Sequence, residues 1–123
     1  MQEVEIVNNE RPFRSLLHAG MCTSYWCHLR GLSFRRAIPY EWGLILGYKT
    51  ENRIDPGIHM LGMRFDLGIV WINADGKVVD LRYARKWLSV LFPKKAAKYA
   101  LEILPQRLEE FQVGDQISFE DIV

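Results

Sequence analysis

The chain has 123 residues, 49% of them hydrophobic and 25% charged, and its formal net charge is +1 at pH 7. Such a chain suits one domain, residues 1–123, with a single modest core, and its balanced charge argues against a dedicated nucleic-acid binder. No apolar run approaches the ~18 residues that span a bilayer, and Met1-Gln-Glu-Val-Glu5 lacks the basic head and apolar stretch of a signal peptide, so a cytoplasmic protein with no membrane partner is expected.

In chain order, Val4 to Val7 predicts a short strand, and Asn8-Asn9 supplies turn chemistry. Phe13 to Met21 predicts the returning strand. Thr23 is a suitable N-cap for a helix ending at Gly31, which suits the left-handed position after a helix. On that helix Cys22, Tyr25, Trp26, Leu29 and Leu32 form one apolar stripe, with Ser24, Cys27 and His28 on the other side. Gly43 to Tyr48 reads as a buried strand, followed by a polar connection from Lys49 to Gly57. Ile69–Ile72 and Val78–Leu81 form the best-marked hairpin. Asn73 and Gly76 favour a three-residue loop with a bulge, pairing Trp71 with Val79 and Ile69 with Leu81. Tyr99 to Ile103 predicts another strand, Pro105 opens a short helix that turns Leu108 and Phe111 inward, and Ile117 and Phe119 alternate on a last strand. The set predicts a β-rich α+β domain: a small closed or partly closed β-barrel-like sheet with two short helices.

Several ordered segments carry a family likeness. Val4-Glu-Ile-Val-Asn8, Leu29-Arg-Gly-Leu32 with Arg35 after it, and Ile58-His59 with Gly62-Met-Arg-Phe65 come first. Ala74-Asp-Gly-Lys-Val-Val79, Leu101-Glu-Ile103 and Val113-Gly-Asp115 follow. Together they resemble the uncharacterised DUF192 family, also called UPF0127, over nearly the whole chain. The resemblance implies a small β-barrel-like fold with short helices and no known activity or cofactor. Against the family's pattern, Asp55 stands where a cysteine is frequent, and Gly68 and Asn73 stand where acids are usual. A half-buried cation without a counter-charge is costly. Asp66 is therefore expected to replace part of the missing acid near Arg64 or His59, and the glycine at 68, which weakens a strand and marks a bulge or close approach, predicts an irregular backbone around residues 66–68.

Arg35, Arg36, His59 and Arg64 are the most promising donors, since long-stemmed cations beside apolar segments either tie internal acids or bind an anionic ligand. The leading reading is a noncatalytic binding module with a small anionic-ligand pocket near His59, Arg35 and Arg64, with Met63 and Asp66 beside them. Two alternatives come from other classes. One docks an acidic protein or a nucleic acid through Arg82–Lys98, a stretch with six basic residues and no acid, although nucleic acid is disfavoured by the overall charge. The other is a hydrolase or transferase with His59 as base and Asp55 or Asp66 as orienter. His59 with Met60 and Met63 suggests a soft metal, but on a straight strand the two methionines point to opposite faces, so no metal and no cofactor are expected. If Thr23 opens a helix, Cys22 and Cys27 lie roughly 8–9 Å apart, too far for a disulfide. Cys22 then reads as a small core residue and Cys27 as an outward-facing thiol. No Gly-x-Ser-x-Gly elbow or phosphate-binding glycine loop is present, and no catalytic residue is assigned.

Overall fold

The computed structural model describes residues 1–87 and 89–122. Strand β1 (Gln2–Asn8) pairs antiparallel with β2 (His18–Cys22), Val4 lying opposite Ala19. The returning strand starts later than the sequence suggests. Around residues 14–16 the backbone is engaged elsewhere: the Arg14 N–H donates to Glu110, and the Ser15 and Leu16 carbonyls accept from Arg107. After β2 the chain turns, and Ser24 rather than Thr23 caps helix α1 (Tyr25–Arg30), its Oγ accepting from the Cys27 N–H at 3.1 Å. Gly31, at φ 49°, ends the helix as expected.

Strand β3 (Trp42–Asn52) lies parallel to β2, so residues 23–41 form a crossover. The other ladders are antiparallel: β3 with β8 (Ala97–Ile103), β8 with β5 (Leu67–Ile72), β5 with β6 (Val78–Ala84), and β1 with β9 (Ile117–Asp121). The seven strands run in the order β6-β5-β8-β3-β2-β1-β9, and β4 (Ile58–His59) with β7 (Val90–Leu91) makes a separate ribbon. The sheet curls until its edge strands meet at the Lys77–Gln116 bridge and at neighbouring bonds such as Ile117 N–H to the Gly76 carbonyl at 2.8 Å. No ladder joins β6 to β9 among the described residues, so the expected barrel-like sheet is a curled, mostly antiparallel one and not a closed barrel. The second short helix is a 3-10 turn, Pro105–Glu110, with proline at its start and Phe111 buried just after it.

Apolar side chains pack on both faces of this sheet. One layer gathers Val4, Ile6, Leu17, Ile45, Val70, Leu101 and Ile103; the other gathers Leu32, Leu44, Leu46, Met60, Met63, Ile69 and Trp71. All six residues of β5 are buried, as expected for a strand covered on both sides. The hairpin loop forms as its turn residues dictate: Asn73 N–H bonds the Lys77 carbonyl at 2.9 Å and Gly76 sits at φ 84°. Ile72 then faces Val78, but a bulge shifts the ladder, so Trp71 faces Asp80 and Ile69 faces Arg82 instead of Val79 and Leu81. The bulge turns Asp80 inward, where its carboxylate accepts the Leu81 and Lys94 N–H groups at 2.9 and 3.1 Å. Gly68 lies in regular ladder between Tyr83 and Ile103, against the expected irregularity. Its glycine reflects a close approach: a Cβ there would meet Leu108 Cγ of the 3-10 turn at 2.6 Å.

Candidate functional site

The sequence-derived residues separate into groups. His59 is exposed on β4, and Met63 is buried just after it; both line a small cavity between α1 and the sheet. Arg35 is exposed and lies over the Trp42 ring, its guanidinium carbon 5.3 Å from the centroid. Arg64 is exposed, and among the described residues neither arginine has a carboxylate partner within ion-pair distance. Asp66 does not compensate either cation. Its carboxylate accepts the Tyr83 hydroxyl at 2.5 Å and the Lys86 N–H at 2.8 Å, and these bonds hold it below the usual carboxylate range. Asp55 accepts from the Asn52 side chain at 3.2 Å. Both acids offered as orienters for His59 therefore have other partners. Met60 and Met63 enter the same core layer instead of opposite faces, because β4 ends at His59 and the chain turns after it; Met63 shares the cavity lining with His59, and Met60 does not.

The cavity that His59 and Met63 share is floored by a residue the sequence reading passed over. Along β8 the side chains alternate, Leu101 and Ile103 entering one apolar layer and Ala100 the other. Glu102 shares the face of Ala100, with Leu44 and Ile69 as its neighbours across the two ladders. It is 5% exposed, and its Oε1 is buried with no hydrogen-bond partner among the described residues. Burial pushes its carboxyl up to about 7. Beside it stands Tyr48, pushed up to about 12 by burial first, then by the negative fields of Glu102 and Asp55. The cavity, open at one side, has a volume of about 50 Å³, room for one or two waters or one compact polar group.

Helix α1 and the residues after it roof this cavity through His28, Leu29, Arg30, Gly31 and Leu32. Gly31 sits directly over the carboxyl: a Cβ there would lie 3.9 Å from Glu102 Oε1. The helix is held by its polar side. His28 Nε2 lies 2.8 Å from the Cys22 carbonyl and donates to it, and its ring packs on Tyr48 with centroids 4.5 Å apart. Cys22 and Cys27 form a disulfide, Cα–Cα 5.7 Å, contrary to the sequence expectation. The reason is local: Cys22 ends β2 and lies outside the helix, so the tight turn at residues 23–24 brings the two cysteines closer than helical spacing allows. Cys27 is consequently neither free nor outward-facing. The expected apolar stripe is divided: Cys22 and Leu32 at its ends are buried, while Tyr25, Trp26 and Leu29 on the helix itself point away from the core, 71%, 74% and 55% exposed.

A second buried polar cluster also escaped the sequence reading. Arg107, fully buried, donates to Glu110 Oε2 at 2.8 Å and to the carbonyls of Ser15, Leu16 and Tyr40 at 2.8, 3.0 and 3.1 Å. It also stacks on the Tyr40 ring, 4.7 Å from its centroid. The guanidinium's donors are all engaged, so Arg107 serves packing, although the neighbouring Ser15 hydroxyl is buried without a partner among the described residues. No helix among the described residues is long and apolar enough to cross a membrane.

Comparison with known proteins identifies relatives of the chain and of its fold. The DUF192 family model, described as uncharacterized ACR, COG1430, matches residues 6–119. A UPF0127 protein of Thermococcus gammatolerans is 30% identical over 105 residues, covering 84% of this chain and 67% of the relative. One from Thermococcus kodakarensis is 34% identical over 92 residues, covering 73% and 57%. The chain thus spans a little under two thirds of the length of most curated relatives it matches. Two crystal structures share the fold. A Sinorhizobium meliloti protein described as a candidate transcription regulator superposes with TM-score 0.82 at 15% identity, over 96% of this chain and 92% of that one. A Novosphingobium aromaticivorans protein of unknown function gives TM-score 0.80 at 17% identity, over 94% and 83%. With its ordered motifs and the family match over most of its length, this chain belongs to the uncharacterised DUF192 (UPF0127) family.

Proposed function

We propose that this chain is a noncatalytic binding domain for a small zwitterionic ligand, with a donor group such as an ammonium on Glu102 and an anionic part at the rim. The observation that carries this reading is the buried Glu102 carboxyl, its Oε1 without a hydrogen-bond partner among the described residues, in the lining of a cavity bordered by His59 and Met63. An orphaned buried acceptor is costly, and a ligand donor removes that cost. The anionic part would meet Arg30 at the cavity mouth, with the uncompensated guanidiniums of Arg35 and Arg64 on neighbouring loops. Catalysis through His59 lacks support, because Asp55 and Asp66 are engaged elsewhere.

The test is an NMR titration of the full chain at pH 8 with methylammonium, glycine and acetate. Glycine is expected to perturb the amides of residues 28–33, 59 and 102 most, methylammonium less, and acetate least. Glu102→Gln is expected to abolish the response. Perturbation by acetate with none by methylammonium, or an unchanged response in Glu102→Gln, would overturn the reading.

A further inference from the structure

Helix α1 is amphipathic, yet its apolar side faces water: Tyr25, Trp26 and Leu29 are 71%, 74% and 55% exposed. The disulfide and His28 fix it in that orientation. The helix is not isolated. Ser33 and Phe34 bond the Leu61 and Gly62 carbonyls at 3.4 and 3.0 Å, tying the segment after α1 to the loop after β4. Trp87 N–H bonds the Met60 carbonyl at 3.0 Å, and β7 pairs with β4, tying the residue 85–92 region to the other side of that loop. Phe34, Leu61, Trp87 and Val90 add to the exposed apolar surface, at 68%, 64%, 53% and 67%.

Two further features set this face apart. Among the described residues, Phe34 and Trp87 alone of the non-glycine residues have positive φ, 67° and 68°, and both are protruding aromatics on it. Backbone held in this sparsely populated region gathers at functional surfaces. The three segments, 24–36, 57–64 and 85–95, also contain no acid in sequence, while Arg30, Arg35, Arg36, Arg64, Arg85, Lys86, Lys94 and Lys95 are all exposed on them. Acids stand only at the margins of this face: Asp66 accepts the Lys86 N–H at 2.8 Å, exposed Asp55 precedes residue 57, and Glu3 accepts from the Trp42 indole over which Arg35 lies, whereas exposed Glu120 and Asp121 are on β9.

We propose that this face docks on an anionic phospholipid bilayer. Trp26, Leu29, Phe34, Leu61, Trp87 and Val90 enter the head-group region, and the surrounding cations meet the lipid anions. Tryptophan and tyrosine favour that interface, and clustered arginine and lysine add attraction to acidic lipid. Leu29, Leu61 and Val90 offer nothing to stack on nucleic-acid bases, which disfavours a single-stranded nucleic acid. The apolar side chains come from three separate segments, a spread that suits a deformable bilayer more than the fixed surface of an acidic protein. This docking needs no spanning segment, so it departs from the expectation of no membrane partner; it does not rest on a ligand at Glu102, although Leu29 and Arg30 belong both to this face and to the mouth of that cavity.

The test is co-sedimentation of the full chain with phosphatidylcholine vesicles containing about one-third phosphatidylserine, against phosphatidylcholine alone. Binding to the anionic vesicles is expected, with a blue shift of tryptophan emission and severalfold weakening at about 0.5 M salt. Arg36→Glu with Lys95→Glu should weaken binding about tenfold or more. Trp26→Ala with Leu61→Ala should weaken it comparably, with the thermal midpoint of each variant confirming an intact fold. Several results would overturn the proposal: no binding to either vesicle, equal binding to both, binding only to a single-stranded oligonucleotide or an acidic protein, or self-association through Trp26 without vesicle binding.

Discussion

Glu102 and Glu110 lie near each other in sequence and are 5% and 6% exposed, yet they live opposite lives. Burial raises both. At Glu110 the bonds from Arg107 and from the Arg14 N–H, with the charges of those two arginines, outweigh it and leave the carboxyl below its usual range. At Glu102 nothing opposes burial, and the carboxyl rises to about 7. A buried acid that has been given partners reads as structure, whereas one left without them beside a cavity reads as a place for something else. The two acids also respond to pH in opposite directions. Glu110 contributes stability above its unfolded value that is lost as the pH falls. Glu102 costs stability as the pH rises from about 4.5 to about 7, because the unfolded chain then releases a proton that the folded chain keeps.

The sharpest way to break the contrast is to strip Glu110 of its partner. Arg107→Ala should destabilise the chain by roughly 3–5 kcal/mol in denaturant unfolding, since it leaves a buried carboxylate and three carbonyls uncompensated. Arg107→Lys should rescue little, because an ammonium cannot reproduce the planar fork. Conversely, Glu102→Gln removes the unpaired acid. The variant should match the parent near pH 4.5 and exceed it by on the order of 3 kcal/mol above pH 8, where the parent's loss is complete. A parent whose stability is flat between those values would refute the contrast. Cys22→Ser with Cys27→Ser should cost about 2 kcal/mol. It should also loosen the roof, so that the loss of stability with rising pH becomes smaller as water reaches Glu102. Gly68→Ala should cost at least about 1 kcal/mol by pushing Leu108 and the 3-10 turn that carries Arg107, while the pH response of Glu102 stays unchanged.

Legibility in the sequence followed the range of the forces involved. The hairpin loop was readable because Asn73 and Gly76 act over a few residues. Its deeper register was not, because the shift serves an Asp80 whose N–H donors include Lys94 on a different segment. Periodicity showed that α1 has two faces, but which one turns inward was decided by a disulfide across the strand–helix boundary. Of the residues singled out as a ligand site, His59 and Met63 line one cavity, and Arg35, Arg64 and Asp66 lie outside its lining. Glu102 escaped because an acid between Leu101 and Ile103 looks like an ordinary outward position on a half-covered sheet. Recognising that both faces of the sheet are covered, as the unbroken apolar run of β5 hints, would have flagged it. Arg107 gave no signal, since its partners are backbone carbonyls from distant segments.

The parallel pairing of β2 with β3 has a consequence for how this chain could be altered. A parallel pair obliges the chain to return across the sheet before the second strand begins. Here that obligatory return, residues 23–41, carries α1 and Gly31 over Glu102. The floor of the cavity is therefore locked into the ladders, whereas its ceiling belongs to a connection whose length and residues the strand register leaves free. Lengthening, shortening or rewriting that single return would reshape what the cavity admits while every strand pair stays in place.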